Sequence, residues 1–194
     1  VCGLTREQDA QAAYEAGAIY GGLIFVESSP RAVNEEQAHK VMAAAPLSYV
    51  GVFRNADIND VAAKADALSL SAVQLHGDED QAYIDALRHV LAPQVQIWKA
   101  QSVGATLPAR NLKHVDKYVL DNGQGGTGQR FDWSLLRGEV LDNVLLAGGL
   151  SPDNCVEAAK TGCAGLDFNS GVESQPGIKD ASKLASVFKT LRAY

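Results

Sequence analysis

Ser48-Tyr-Val-Gly-Val-Phe53, Asp57-Ile-Asn-Asp-Val-Ala-Ala-Lys-Ala-Asp-Ala-Leu68 and Ala72-Val-Gln-Leu75 follow one another along the chain and read as strand, helix, strand. The same alternation extends in both directions. Towards the N-terminus, Val1 to Leu4 reads as the end of a strand, Thr5-Arg6-Glu7-Gln8 has capping-box spacing with Thr5 as N-cap, and the helix behind it stops at Gly17. Ile19 to Val26 is a strand with Gly21-Gly22 inside it, where a neighbour comes close, and Asn34 to Gln37 cap the next helix. Towards the C-terminus, Asp78-Glu79-Asp80-Gln81 opens a helix, Gln94 to Lys99 is a strand, Ala105 to Lys113 is a poor helix containing Pro108, and Tyr118 to Asp121 is a strand. After a short Asp132-capped segment, Asn143 to Ala147 and Gly165 to Phe168 are apolar runs bounded by glycine, as strands covered on both faces are. Between them Ser151-Pro152-Asp153 starts a helix with Ser as N-cap and Pro at N1. Leu184, Val187, Phe188 and Leu191, at i, i+3, i+4 and i+7, mark the last helix.

Eight strand starts without a copied sequence between units exclude a solenoid and predict an α/β fold, a (β/α)8 TIM barrel in a single domain. The 194 residues, 46% of them hydrophobic, suffice for one core and sit just under the usual lower limit of roughly 200 for such barrels. A net charge of -6 without runs of like charge argues against a nucleic-acid surface. Three cysteines, Cys2, Cys155 and Cys163, lack disulfide or zinc spacing and suit a reducing cytoplasm. No apolar run approaches the roughly 18 residues that cross a membrane. The start at Val1, inside a strand and without an initiator Met, suggests a piece cut from a longer polypeptide.

Barrel enzymes work on the rim where the strands end, and the residues just past these strands form a short polar set. Tyr118 to Leu120 delivers Asp121 to a loop holding Gly123, Gly125, Gly126 and Gly128, which reads as a mobile cover over a strand-borne carboxylate. Gly123, Gly125 and Gly128 also fit G-x-G-x-x-G, but no long helix follows and the next strand ends in Ala147-Gly148-Gly149 rather than an acidic residue, so a dinucleotide site is disfavoured. Asp121 is a loop cap or a proton-transfer group. Cys2 is an inert buried thiol or, at the mouth, a base or nucleophile once its pKa falls toward neutrality. Arg31 is a solvated charge or a bidentate grip on a carboxylate. His76 serves a turn carbonyl or a ligand, and Lys99 is equally ambiguous. Gly148-Gly149 and the Asn169-Ser170-Gly171 turn are plain glycine turns or, as their place in the last two units favours, a backbone cradle for phosphate. Cys155, in a helix, and Cys163, in a turn, read as packing.

Val1-Cys-Gly-Leu-Thr5, Phe25-Val-Glu-Ser-Ser-Pro-Arg31, Val50-Gly-Val-Phe53, Val73-Gln-Leu-His-Gly77, Leu120-Asp-Asn-Gly-Gln-Gly-Gly-Thr-Gly128, Leu146-Ala-Gly-Gly-Leu150 and Leu166-Asp-Phe-Asn-Ser-Gly-Val-Glu173 together resemble the phosphoribosylanthranilate isomerases. Seven motifs in one order are far more specific than any one of them, and they span the whole chain. The likeness is greatest to the enterobacterial form of the family, fused behind indole-3-glycerol-phosphate synthase, so that synthase is the implied partner. The resemblance implies an Amadori rearrangement of the phosphosugar N-(5-phosphoribosyl)anthranilate in tryptophan biosynthesis, with no metal and no cofactor. It maps a general base onto Cys2, a general acid onto Asp121, a clamp for the anthranilate carboxylate onto Arg31, and a phosphate cradle onto Gly148, Gly149, Asn169, Ser170 and Gly171. Asp167 would lie where the sugar passes. Serine is common in the family where this chain has Asn169, so a side-chain bond to phosphate is not carried over there. A bifunctional isomerase of histidine and tryptophan synthesis would use paired aspartates, against which Cys2 argues. A non-catalytic docking barrel would not need Cys2 and Asp121.

Overall fold

The computed structural model describes residues 1–122 and 130–194. Seven parallel strands pair in sequence order: β1 (Tyr20–Ile24), β2 (Ser48–Phe53), β3 (Ala72–Leu75), β4 (Gln96–Ser102), β5 (Lys117–Asp121), β6 (Val144–Leu146) and β7 (Gly165–Leu166). The eighth stave is the segment Val1 to Leu4. Leu4 N–H donates to Gly22 O at 3.0 Å and Gly22 N–H to Val1 O at 2.9 Å, while Cys2 N–H donates to Phe168 O, just past β7, at 2.9 Å. These bonds join the first strand of the sheet to the last and close a (β/α)8 barrel. Close approach requires the glycine: a Cβ on Gly22 would stand 2.8 Å from Cys2 Sγ.

Helices α1 (Glu7–Ala16), α2 (Glu35–Ala44), α3 (Ile58–Ala67) and α4 (Gln81–Val90) follow the first four staves, and α5 (Cys155–Ala159) and α6 (Ala181–Ala193) the last two. Asn34, Asp57 and Asp80 cap α2, α3 and α4 by accepting from Gln37, Asn59 and Tyr83 N–H, and Asp132 likewise caps the 3-10 turn Trp133–Leu136. Two expected caps are overturned. Thr5 does not start α1, whose N-cap is Arg6; its hydroxyl donates instead to Gly177 O, far along the chain. Ser151 does not cap a helix at Pro152, because Ser151 to Asn154 form a turn and α5 begins at Cys155. The poor helix expected over Ala105 to Lys113 is absent. Pro108 lacks an N–H and disfavours helix in the residue before it, and the segment is held by side chains instead, Leu112 N–H donating to Tyr118 Oη and Lys113 N–H to Gln81 Oε1.

Side chains alternate between two cores. Tyr49, Phe53, Val73, Leu75, Ile97, Tyr118, Leu120, Val144 and Leu146 point outward to the helices, in a cluster that takes in Leu184 and Val187 of α6. Val50, Ala72, Trp98, Ala100, Val119, Leu145 and Ala147 fill the barrel, with Tyr20 edge-on to Trp98 at 4.9 Å. Beyond β7 the chain makes a small antiparallel hairpin, β8 (Glu173–Gln175) and β9 (Ile178–Lys179), before α6. Among the described residues no helix is long and apolar enough to cross a membrane.

Candidate active site

The alternation that puts Val119 inside the barrel also puts Asp121 inside, two residues on; Ala72 does the same for Gln74 and His76, and Gly165 for Asp167. A cavity of ≈ 690 Å³ therefore opens at the C-terminal ends of the strands, and Cys2, Arg31, His76, Asp121, Gly148, Gly149, Asp167, Asn169 and Ser170, all singled out in the sequence, line it. Gly171 does not. It is a spacer beneath the wall, where a Cβ would overlap Leu150 O at 1.9 Å, so it lets the turn after β7 lie against the turn after β6. The glycine-rich loop at 123–128, read as a mobile cover, lies outside the described residues.

Cys2 is buried against Ile24 and Val52. Burial, and then the negative charge of Asp167, push its thiol up to about 12; Lys179 pulls more weakly the other way. The expected fall toward neutrality is reversed, because burial among apolar side chains and the charge of Asp167 outweigh the pull of Lys179. Asp167 is itself raised, first by burial, with the neighbouring cations opposing.

Asp121 ends β5, three staves from Cys2 around the barrel. His76 Nε2 lies 3.4 Å from Asp121 Oδ2, and Gln74 Nε2 lies 3.2 Å from His76 Nδ1. If the amide donates to Nδ1, the ring proton sits on Nε2 and faces the carboxylate. The His76 ring lines the cavity beside the carboxylate, and among the described residues its partners are side chains rather than a turn carbonyl.

The turns after β6 and β7 meet at one end of the cavity. Gly148 and Gly149 both have positive φ, 82° and 68°, and among the described residues the N–H groups of Gly148, Gly149, Ser170 and Gly171 donate to no protein acceptor. Successive unpaired amides at such turns suit an anion. Asn169 does not extend this cradle with its side chain, since Oδ1 accepts from Lys179 Nζ at 2.9 Å.

Arg31 is a bidentate grip, but the carboxylate it holds is the protein's own. Its Nε donates to Glu173 Oε1 at 2.8 Å and Nη2 to Oε2 at 2.7 Å, and the pair is buried. Lys179 Nζ also donates to Glu173 Oε1, at 2.8 Å. Burial works against the Glu173 charge, but Arg31 and Lys179 outweigh it and hold the carboxyl below its usual range. Lys179 went unnoticed in the sequence; the signal available was the Pro176-Gly177 turn, which folds Lys179 back over Glu173. On the other side of the barrel, Lys99, which also lines the cavity, donates to Glu79 Oε2 at 2.8 Å and to Gly77 O at 2.7 Å and so holds the loop. Among the described residues no His, Cys, Asp and Glu side chains gather as metal ligands.

The family model for N-(5'phosphoribosyl)anthranilate (PRA) isomerase matches residues 1–190. The chain belongs to this isomerase family. Among solved family members, the phosphoribosyl anthranilate isomerase of Thermus thermophilus superposes with a TM-score of 0.87 at 31% identity, covering 99% of this chain and 96% of that one. A second isomerase, solved in complex with reduced 1-(o-carboxyphenylamino)-1-deoxyribulose 5-phosphate, superposes with a TM-score of 0.82 at 30% identity and covers 100% and 97%. Curated relatives named tryptophan biosynthesis protein TrpCF are 75% identical in Salmonella typhi and 66% identical in Yersinia pestis over all 194 residues. The chain spans 43% and 41% of those proteins, about two fifths of their length.

Proposed function

We propose that the chain isomerises N-(5′-phosphoribosyl)anthranilate to 1-(2-carboxyphenylamino)-1-deoxyribulose 5-phosphate, a step of tryptophan biosynthesis in the cytoplasm. The observation that carries the reading is the placement of a thiol, Cys2, and a carboxyl, Asp121, across one cavity that has backbone amides unpaired among the described residues at one end and a guanidinium at its side. The amides of Gly148, Gly149 and Ser170 take the phosphate, and Arg31 takes the anthranilate carboxylate on the guanidinium edge that Glu173 leaves open. His76 contacts the ligand beside Asp121, and Asp167 borders the sugar.

Asp121 delivers a proton to the furanose ring oxygen. The C1–O bond breaks as the anthranilate nitrogen lone pair forms a C1=N bond, giving an open-chain iminium ion. Cys2, as the thiolate left when its own proton passes to solvent, then removes the proton from C2, and the C–H electrons neutralise the iminium to leave an enolamine. Its C2 hydroxyl returns a proton to Asp121 while C1 takes one from the Cys2 thiol, which gives the ketone and restores both groups. A positive charge beside a thiol favours its thiolate, so the iminium assists Cys2 as it forms.

The reading includes a longer native polypeptide, in which this barrel is one domain fused to indole-3-glycerol-phosphate synthase. TrpCF proteins more than twice its length, matched across the whole of this chain, support it. The test is to supply the purified chain with N-(5′-phosphoribosyl)anthranilate made in situ and follow its anthranilate fluorescence. Rapid loss, with the ribulose phosphate as product, is expected; binding without loss of fluorescence would leave only a docking role.

A further inference from the structure

Arg31 and Glu173 alone would form a neutral, mutually satisfied pair with little attraction for another anion. Lys179 changes that count. Its side chain is fully covered, and Nζ has three acceptors for its three N–H groups: Glu173 Oε1 at 2.8 Å, Asn169 Oδ1 at 2.9 Å and Asn169 O at 3.4 Å. Only the ammonium form satisfies all three. Two cations thus share one carboxylate, and the group carries one net positive charge beside the cavity. The β8–β9 hairpin creates this arrangement. Gly177, with φ 81°, turns the chain where a Cβ would stand 3.2 Å from Pro30 O, next to Arg31, and Lys179 N–H donates to Asp9 Oδ2 at 3.1 Å, tying the hairpin to α1.

We propose that Lys179, acting through Glu173, supplies the net positive charge of the Arg31 subsite and so selects for the aromatic carboxylate of the substrate without touching it. The inference rests on the reading of Arg31 given above. Lys179 is a positioning residue in this account: neutralising Glu173 frees the Arg31 charge for the ligand, while the same ammonium holds the Asn169 turn beside the phosphate cradle.

Two probes separate charge from structure. One is reduced 1-(2-carboxyphenylamino)-1-deoxyribulose 5-phosphate, the other the same molecule without the ring carboxylate, each titrated calorimetrically. Lys179→Met should weaken the carboxylate-bearing probe on the order of tenfold and leave the other within about twofold. Glu173→Gln, which removes the competing negative charge, should tighten the carboxylate-bearing probe about threefold, and the double variant should return to the parent affinity. Equal losses for both probes in Lys179→Met overturn the proposal, and would show Lys179 serving Asp167 or the fold instead. Should Lys179→Met not fold, Glu173→Gln decides by its sign, since a loss in place of a gain contradicts the proposal. Arg31→Met distinguishes the two layers. A loss confined to the carboxylate-bearing probe there, without one in Lys179→Met, sinks this inference alone; an equal loss for both probes sinks the reading of Arg31 beneath it.

Discussion

Two buried charge clusters face each other across the barrel, and they are built differently. At the end of β3 and β4, Glu79 and Lys99 form a closed pair. Lys99 gives its protons to Glu79, Gly77 O and Leu75 O, Glu79 accepts further from Asn55 and Gly77 N–H, and the charges cancel. Between β1 and β7, Arg31 and Lys179 share the single carboxylate of Glu173, and one positive charge is left over. A self-satisfied buried pair fixes loops and asks nothing of a ligand, whereas a surplus charge on a cavity wall is stable only beside a counter-ion or water. The first cluster reads as scaffold and the second as half of a binding site.

Neither cluster carries the chemistry in this account, which sets the scale for testing the contrast. Asp121→Asn should lower kcat by about 10³-fold with KM little changed, within the range general acid catalysis supplies. A variant in either cluster that lowered kcat further would erase the distinction between holding the ligand and transforming it. Next, Lys99→Met strands Glu79 in a buried site and should cost about 3–5 kcal/mol in urea unfolding, with KM unaltered in the protein that remains folded. Arg31→Met should do the converse: Glu173 keeps Lys179, so stability falls less than in Lys99→Met, while KM rises about 30-fold or more through loss of a charged clamp. A large KM change in the first, or none in the second, would interchange the roles.

Acid unfolding probes what the clusters share. Burial disfavours the charge of Glu79, but Lys99 and two backbone amides prevail, and its pKa lies below the usual carboxylate value, as does that of Glu173. The unfolded chain then binds more protons, so this stabilisation is fully present above the unfolded value of about 4.3 and is lost as pH falls through the lower folded value. Urea midpoints measured across that window should drop with acid in the parent and drop less in Glu79→Gln; an unchanged slope would contradict the pairing. The smallest effect belongs to pure scaffold. Asp80→Ala removes the α4 cap and should cost about 1 kcal/mol without moving KM.

How much of this could be read from the sequence depended on how local each interaction is. Asn34, Asp57, Asp80 and Asp132 cap the turns they begin, and β2 and β3 lie where their apolar runs lie, because these interactions span a few residues. Thr5 misled because its hydroxyl is spent on Gly177, across the closed barrel, which tertiary contact alone decides. Ser151 misled in extent: its Oγ accepts from Asp153 N–H and its N–H donates to Asn154 Oδ1, but these bonds cap a turn, and α5 starts only at Cys155. The cavity wall followed from strand ends and period-two alternation, so the candidate site residues, Gly171 apart, line it. What the side chains do there was less visible. The upward shift of Cys2 comes from burial and from Asp167, and the occupation of Arg31 by Glu173 joins residues 142 apart in sequence. Lys179 follows a hairpin turn that a helix-and-strand alternation has no place for.

The most direct test of the central claim is the turnover of Cys2→Ser at ligand occupancy matched to the parent, followed by loss of substrate fluorescence. A serine hydroxyl keeps the shape but is a far weaker acid than a thiol, so turnover should fall by about 10³-fold while the reduced product analogue still binds. Near-parental turnover would contradict the assignment of Cys2 as the base, and would leave Asp167, on the neighbouring stave, as the group to examine.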